Sequence, residues 1–445
     1  MSNALPPRAA WSLLGVLGAL VALNVPTLGS DPWPFHARNV RATGVLAPIV
    51  RAAGRHWDLG TIRTPAVLAG LLIALAALVA VRGRPVRADL LGALAFVVVV
   101  LVIVPAVLLQ AGLRHGTAPW LYDNDSTYQI DLAGHLVLHG HNPYGHDYRG
   151  SGLERFYPAA GIHSSHPQVA LNHFAYFPGT PLTAAVWRVL PSPLDDYRFF
   201  VLLATLASFG AVLLFRAPLE WRIAVAAIVA ANPLAVRAAW FGTADAPSLL
   251  CVLLAFAFVT RRQPVAAAAS LAAAVLLKQF ALVAVPFVTL MLWPRATREQ
   301  LRRATAVFCV VVAAGIVPFL VADAGAFWRD TLSYGSGTYR IIGYGLSALL
   351  LHAGIVNDRF GSYPFVPIAI LTWLPATVWL LWNQRRSGTL WVGAAGFAAS
   401  IFVLFFVARV FQNSYFVWPL VAASAAVLLA AGERRVTAAA SPSSP

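Results

Sequence analysis

The sequence is poor in charge and in cysteine, and each shortage excludes a class of protein. Only 11% of its 445 residues are charged, whereas 59% are apolar, and the mean hydropathy is +0.71. Soluble globular domains carry about 25% charged and roughly 45–50% apolar residues, so this chain lacks the polar groups to cover a water-facing surface. Two cysteines, Cys251 and Cys309, are too few for a disulfide scaffold, and the apolar content excludes disorder. The composition predicts an integral membrane protein.

Lysine is also nearly absent, because Lys278 is the single lysine among 32 basic residues. The remaining 31 are arginines, and with 17 acids they give a net charge of +15, which usually suggests nucleic acid or an anionic surface. Many of the arginines follow the positive-inside rule. The loops predicted inside hold 16 Arg and 4 acids, or +12, and the segments predicted outside hold 15 Arg, one Lys and 13 acids, or +3. Most of the charge therefore encodes topology, and no nucleic-acid partner is expected.

Twelve apolar runs are candidates for membrane-spanning helices, each of which needs about 20 residues. Arginine clusters at 261–262 and 295–303 place both ends of one apolar stretch inside, so that stretch is predicted to turn at Lys278-Gln279. The proline-bearing segment 176–194 and residues 344–355 are predicted to be re-entrant or surface-lying. The expected fold is all-α and polytopic, with about 12 transmembrane helices and both termini in the cytoplasm. The runs are 11–28, 65–81, 90–112, 199–216, 223–240, 245–260, 264–277, 280–293, 304–322, 364–382, 389–407 and 416–432.

Polar residues are concentrated on the predicted outer side. All eleven histidines and 13 of the 17 acids fall there, most of the histidines in the outer loop 113–198. A second outer segment covers 323–363, and the arginine-bearing run 40–57 is typical of an interfacial amphipathic helix. The chemistry of the protein is therefore expected at the outer membrane surface.

Residues 120–148 are the richest stretch of this outer loop. Ser126 is the predicted N-cap of a surface-lying helix that ends before Gly140. Asp123 and Asp125 come directly before the helix, where the positive end of its dipole keeps a carboxylate ionised. Such a group suits a general base that accepts a proton from a hydroxyl. In the alternative interpretation, Asp125 only caps the helix and Asp123 is a loop residue.

A metal site is a weaker alternative on the same helix. Asp131, His135 and His139 repeat at i, i+4 and i+8, and imidazole with carboxylate suits zinc or manganese. The same stripe also describes the solvated face of an interfacial helix. Because no HExxH or CxxC motif accompanies it, we expect no metal and no other cofactor.

Three short motifs resemble the GT-C superfamily of glycosyltransferases. They are a helix led by Asp, the sequence Gly-His-Asn-Pro-Tyr at 140–144, and Tyr-Phe-Pro-x-x-Pro at 176–181. The superfamily comprises polytopic enzymes with polyprenyl-phosphate sugars as donors, including actinobacterial mannosyl- and arabinosyltransferases. The resemblance implies an essential Asp in the first long outer loop, which here is Asp123 or Asp125, with Asp123 favoured. The superfamily has this loop after the first span, whereas here it follows the third, so residues 1–89 are expected to be an N-terminal two-helix addition to a catalytic domain at 90–432. The tail at 433–445 is predicted from its sequence to be cytoplasmic and disordered.

Other polar groups on the outer side fit this scheme. The residues predicted to bind the donor phosphate are Lys278, Arg237, Arg409 and Arg340. Asp245 is predicted to orient Arg237. In an alternative interpretation, Lys278 is a snorkelling interfacial lysine. The side chains expected to contact substrate are Tyr128, Asp131, Asn142, Tyr144, Tyr176, Asp245, Gln279 and Tyr415.

The expected function is therefore an inverting transfer of a sugar, mannose or another hexose or pentose, at the outer face of the plasma membrane. The donor is a polyprenyl-phosphate sugar, the acceptor is a lipid or a glycan, and membrane lipids surround the protein. No nucleotide-binding loop is present in the sequence, which agrees with a lipid-linked donor. The alternative is a transporter or flippase for an anionic lipid or solute. Against it, the two halves of the chain show no repeat and no matched pair of broken helices.

Overall fold

The computed structural model describes residues 7–24, 45–48, 51, 60–83, 87–116, 124–156 and 170–440. Helices make up nearly all of the regular structure in these ranges. The only strands among the described residues are two of two residues each, β1 (Ile342–Gly343) and β2 (Val410–Phe411). Asp123, most of the run 40–57 and the last five residues of the chain lie outside the described ranges. The predicted all-α class is confirmed.

Up to residue 277, the described residues contain ten α-helices with full bounds, of 9 to 29 residues each. The ten are α1 (Pro7–Asn24), α2 (Gly60–Val81), α3 (Ala88–Gly116), α4 (Asp125–Leu138), α5 (Gly179–Trp187), α6 (Tyr197–Leu213), α7 (Leu219–Ala231), α8 (Pro233–Phe241), α9 (Asp245–Thr260) and α10 (Pro264–Leu277).

The second half contains seven α-helices and a π-helical turn, Arg329–Thr338, that extends the longest of them. The seven are α11 (Ala284–Leu292), α12 (Arg298–Trp328), α13 (Leu346–His352), α14 (Phe365–Leu371), α15 (Trp373–Ser387), α16 (Leu390–Val407) and α17 (Val417–Ala440). Helix α17 continues to Ala440 and so includes eight of the thirteen residues of the tail at 433–445 that the sequence predicted to be disordered.

Seven helical segments in the described residues are long and apolar enough to cross a membrane, or eight if α7 and α8, which are bent by 45°, form one span. Four further apolar segments of 10–17 residues are α6, α9, α10 and Gln279–Leu292. Helices suit this composition because a backbone in lipid must satisfy its hydrogen bonds within the segment. Within the described residues all twelve apolar runs overlap helices, and seven helical segments there are long and apolar enough to span.

Two of the short helices, α5 and α13, lie where the sequence predicted surface-lying or re-entrant segments. Helix α5 has nine residues and α13 has seven, so neither reaches across a bilayer. Helix α5 packs along α4, and both contact the helices that carry the apolar runs. Together α4 and α5 form the base of the polar loop region.

Lys278 interrupts the helical structure between α10 and α11, which carry the seventh and eighth apolar runs. Helix α10 ends at Leu277, Lys278 is extended (φ −155°, ψ 127°), and a 3₁₀ turn, Gln279–Val283, leads into α11. Helix α10 packs on α9 and α12, whereas α11 packs on α15 and α16 and also on α9. The helix therefore breaks at Lys278-Gln279, where the sequence predicted a turn, and both halves contact α9.

Strands β1 and β2 join two distant loops. They pair in parallel, with Ile342 opposite Val410 and Gly343 opposite Phe411. Gly343 has a φ of +105°, and a Cβ there would lie 1.8 Å from the Phe411 carbonyl oxygen, so the pairing requires glycine. This short ladder holds the loop after α12 against the connection between α16 and α17.

One continuous hydrophobic core includes residues of nearly every long helix. Helices α1 and α2 pack on each other, and α1 also packs on α7. The first two helices therefore share the core of the rest of the described chain.

Candidate functional site

A cavity of about 710 Å³ opens among the polar loops and the ends of several helices. Its walls come from the start of α4, the end of α8, the break at Lys278, the π-helical turn and the connection before α17. Seven of the residues that the sequence singled out line it. They are Asp125, Tyr176, Arg237, Asp245, Lys278, Gln279 and Tyr415.

Asp125 occupies the first turn of α4 at one side of the cavity. The N-cap of this helix is Asn124, whose side-chain oxygen accepts hydrogen bonds from the backbone N–H (2.8 Å) and the hydroxyl (2.7 Å) of Ser126. The predicted cap at Ser126 is wrong, because the helix begins two residues earlier. Asp125 Oδ1 also accepts from the backbone N–H of Ser126 at 2.7 Å, and Asp125 borders the cavity.

Tyr176, in the loop before α5, lies close to the first turn of α4. Burial raises the pKa of its phenol, and a hydrogen bond with Ser126 acts in the opposite, weaker direction. The pKa of Tyr339, another cavity residue, is also raised by burial, and after that by the nearby charge of Asp125. Both phenols therefore remain protonated near neutral pH and act as neutral polar groups beside Asp125.

Lys278 and Asp245 form a buried ion pair in the cavity wall. Lys278 Nζ lies 2.7 Å from Asp245 Oδ1, and Trp418 Nε1 donates to the same oxygen at 2.7 Å. Only 6% of Lys278 and 2% of Asp245 is exposed. The sequence predicted that Asp245 would orient Arg237; in this structure Asp245 forms an ion pair with Lys278.

Aromatic rings surround the Lys278 ammonium on three sides. Nζ lies 5.5 Å from the ring centroid of Tyr176, 5.2 Å from that of Phe280 and 5.6 Å from that of Tyr415. These distances are within the range of cation–π attraction. A snorkelling interfacial lysine would keep its head group in water, so that interpretation does not fit Lys278.

Arg237 and Gln279 complete the polar wall. The Arg237 guanidinium lies over the ring of Phe241 at 5.4 Å and borders the cavity. Gln279 Nε2 donates to the backbone oxygens of Ala175 (2.9 Å) and Thr331 (3.3 Å). Gln279 therefore ties the break after α10 to two other cavity segments as well as bordering the cavity.

The rest of the wall is mostly apolar and partly aromatic. Because α14, α15 and α16 contribute here, this side adjoins helices that are long and apolar enough to cross a membrane. The residues include Leu234, Phe241, Phe280, Leu282, Val283, Leu332, Phe365, Trp373, Leu404, Phe405 and Val410.

Four predicted substrate residues lie outside the cavity lining and support the fold instead. Tyr144 is buried and its hydroxyl donates to the Tyr176 backbone oxygen at 2.8 Å, while Asn142 Oδ1 accepts from the backbone N–H of Tyr144. The Tyr128 hydroxyl donates to the Ser151 carbonyl. Asp131 forms a 2.6 Å ion pair with Arg188. In this structure these four residues position the loop region, and their contact with substrate stays a prediction.

Two predicted phosphate ligands are also outside the lining. Arg409 is 1% exposed and donates to the backbone oxygens of Tyr339 and Arg359, so it fastens the 339–359 loop beside strand β2. Arg340 interacts with the side chain of Tyr339. In this structure neither guanidinium is placed to bind a group in the cavity.

The metal candidates are not assembled. Asp131 is paired with Arg188, and the rings of His135 and His139 are in contact, with centroids 4.2 Å apart and ring planes inclined by 53°. Burial lowers the pKa of His135, and the neighbouring His139 and Arg188 lower it further. Within the described ranges, no group of three or more His, Cys, Asp or Glu side chains is placed to hold a metal ion.

Several cavity residues were not predicted from the sequence. Gln129 follows Asp125 by one helical turn, so helical periodicity alone could have indicated it. Gln412 and Asn413 belong to an outer loop from which only Arg409 and Tyr415 were selected. Tyr339, Thr331 and Ser336 gave no such signal, because the π-helical turn that presents them is not evident in the sequence.

The chain has no close counterpart in the comparisons. Searches against protein-family models, curated proteins and solved structures return no match. The function is therefore inferred from the cavity and its chemistry.

Proposed function

We propose that this protein is a membrane glycosyltransferase that moves a sugar from a polyprenyl-phosphate donor to a lipid or glycan acceptor. One observation carries the proposal: a single cavity joins a carboxylate, Asp125, to a cationic side chain, Arg237, to the buried Lys278–Asp245 pair and to a wide apolar wall. These groups match a proton acceptor, an anionic leaving group and a prenyl chain. The resemblance of the motifs at 140–144 and 176–181 to the GT-C superfamily supports the same conclusion.

The reaction is a single displacement with inversion at the anomeric carbon. Asp125, or Asp123 two residues earlier, takes the proton of the acceptor hydroxyl while the acceptor oxygen bonds to the anomeric carbon. The bond between that carbon and the phosphate oxygen breaks, and polyprenyl phosphate leaves with one additional negative charge. Cationic groups in a cavity of low dielectric stabilise this charge as it develops.

The membrane arrangement is part of the proposal. The chain crosses the membrane twelve times, with the bent pair α7–α8 counted as one crossing. Both termini then lie in the cytoplasm, and the cavity lies at the outer face of the plasma membrane. The apolar wall then holds the first isoprene units of the donor, and the remainder of the chain extends into lipid. A lipid-linked donor also provides activated sugar on a face that cytosolic nucleotide sugars do not reach.

Mass spectrometry of envelope glycolipids and glycans tests the activity in cells that lack the gene. Wild-type protein is expected to restore the missing glycan. The variant that replaces the general base is expected to transfer sugar about 10²–10⁴-fold more slowly. Asp123→Asn and Asp125→Asn are compared singly and together, with Asp147→Asn as the control because Asp147 is exposed and outside the lining. If the double variant restores the glycan as well as wild type, the carboxylate mechanism is wrong. Movement of a lipid phosphate across sealed vesicles without a transfer product would favour the transporter.

A further inference from the structure

The Lys278–Asp245 pair is the most enclosed charged feature of the cavity wall. Both donors to Asp245, the ammonium of Lys278 and the indole N–H of Trp418, engage Oδ1. No described residue donates to Oδ2, and Asp245 borders the cavity. We propose that this pair binds hydroxyl groups of the transferred sugar, and that it is not the phosphate site. This inference rests on the proposed function.

The hydrogen-bonding capacity of the pair favours hydroxyl groups. An ammonium has three N–H donors, of which one is directed to Asp245, and a carboxylate oxygen only accepts. A ligand that satisfies both must accept from Lys278 and donate to Asp245. A hydroxyl does both, so two neighbouring hydroxyls of a sugar can satisfy the pair together. A phosphate diester only accepts.

The charge of the pair leads to the same conclusion. Lys278 and Asp245 neutralise each other at 2.7 Å, and their burial keeps solvent from screening nearby charges. An anionic phosphate close enough to bind Lys278 would meet the carboxylate at short range. Arg237, which borders the same cavity over the Phe241 ring, is the more suitable cation for the phosphate.

The three aromatic rings provide a further match to a sugar. Tyr176, Phe280 and Tyr415 surround the ammonium and all border the cavity. The C–H face of a pyranose or furanose packs on an aromatic face, while its hydroxyls extend sideways to polar groups. The pair and its rings therefore combine apolar faces with a donor and an acceptor in one small region.

The test measures binding to the full chain in detergent micelles with two kinds of probe. The first is farnesyl phosphate, which has the prenyl phosphate but no sugar. The second is a set of farnesyl phosphate esters of mannose, glucose, galactose and arabinose. Wild-type protein is expected to bind at least one ester about tenfold more tightly than farnesyl phosphate, because a site built for hydroxyls leaves its polar groups unpaired without them.

Two variants separate a sugar site from a phosphate site. Asp245→Asn, and the charge-neutral double variant Asp245→Asn with Lys278→Met, are each expected to abolish the tenfold preference and to change farnesyl phosphate affinity by less than about twofold. A phosphate site would behave in the opposite way. Removing the carboxylate would tighten farnesyl phosphate binding, and removing the ammonium would weaken both probes equally. Either of those results would overturn the inference.

The single lysine provides a measurement that needs no variant. In protein labelled with ¹³Cε-lysine, Lys278 gives the only side-chain lysine signal of this sequence. The preferred ester is expected to shift that signal, and farnesyl phosphate to leave it in place; a shift with farnesyl phosphate alone would contradict the inference. If wild-type protein binds neither kind of probe, the proposed function itself fails. Asp147→Asn serves as the control for expression and folding.

Discussion

Arg188 Nη1 lies 2.6 Å from Asp131 Oδ2, and this ion pair fastens α4, which begins at the cavity, to the short helix α5. The side chains of Asp131 and Arg188 are only 4% and 17% exposed. Asp131 belongs to the stripe that suggested a metal site, but its partner is a cation in the neighbouring helix. The pair therefore stabilises the loop region that presents Asp125.

Asp131→Asn is expected to lower the free energy of unfolding by about 3–5 kcal/mol, because removing one member of a buried pair leaves the charge of the other uncompensated. Thermal unfolding in detergent measures the loss. Asp147→Asn is the matched control: its partner Arg149 is 3.8 Å away and both are exposed, so the change should stay within about 0.5 kcal/mol. A rise in unfolding temperature with zinc that His135→Ala abolishes would instead support the metal interpretation.

Asp330 is a buried carboxylate that binds several loop residues, and it was not predicted from the sequence. Its Oδ2 accepts from the backbone N–H groups of Gly145 (2.8 Å) and Phe174 (3.2 Å), and its Oδ1 lies 2.8 Å from His173 Nδ1. Asp330→Asn replaces one accepting oxygen by a donor and should cost about 3 kcal/mol in unfolding free energy. His173→Gln should cost less, about 1 kcal/mol.

Activity gives a second readout for Asp330. Tyr334 borders the cavity and stacks on the His173 ring with centroids 4.4 Å apart, so Asp330→Asn should also weaken donor binding. An Asp330→Asn protein with wild-type stability and wild-type donor affinity would contradict this role.

Gly179 sets the distance between α5 and the end of α10. A Cβ at Gly179 would lie 2.6 Å from the backbone carbonyl carbon of Leu276, two residues before Lys278. Gly179→Ala must therefore shift α10 and with it the Lys278–Asp245 pair, and should cost about 1–3 kcal/mol in stability. The ¹³Cε signal of Lys278 should move as well.

Gly210→Ala is the matched control for this change. Gly210 lies within α6, and nothing is within 4 Å of the position that its Cβ would take. Alanine there should be neutral or stabilising by up to about 1 kcal/mol, since it lowers the entropy of the unfolded chain. If Gly179→Ala behaved like Gly210→Ala, the close approach of α5 to α10 would not control the site.

Arg237→Gln tests the phosphate end of the cavity. Removing this cation should weaken farnesyl phosphate binding about tenfold, or about 1.4 kcal/mol, and reduce its dependence on salt. Arg340→Gln is the control, because Arg340 was also predicted to bind phosphate but lies outside the cavity lining. Titrations at two salt concentrations measure both effects. Equal losses in the two variants would show that the general positive charge of this face, and not Arg237, attracts the ligand.

Much of the fold follows from local sequence. Apolar runs fixed the helices because lipid leaves a backbone no other hydrogen-bond partners, and the break at Lys278-Gln279 followed from arginines on both sides of its stretch. The helix at 125–138 was also predictable, since capping residues and a terminal glycine act within a few residues. Local signals could not specify which neighbouring residue caps it, and Asn124 does so instead of Ser126.

The sequence by itself determined that this is a helical membrane protein and which loops hold its polar residues. Only the tertiary structure decided which of those residues meet: Lys278 with Asp245, Asp131 with Arg188, and Arg409 with two backbone carbonyls. These partners are 33, 57 and 50 to 70 positions apart. The physical reason is that a buried charge takes the partner that helix packing brings within reach, and packing depends on shape along whole helices. Amino-acid composition and helical periodicity do not specify which residues, distant in sequence, come within reach of each other.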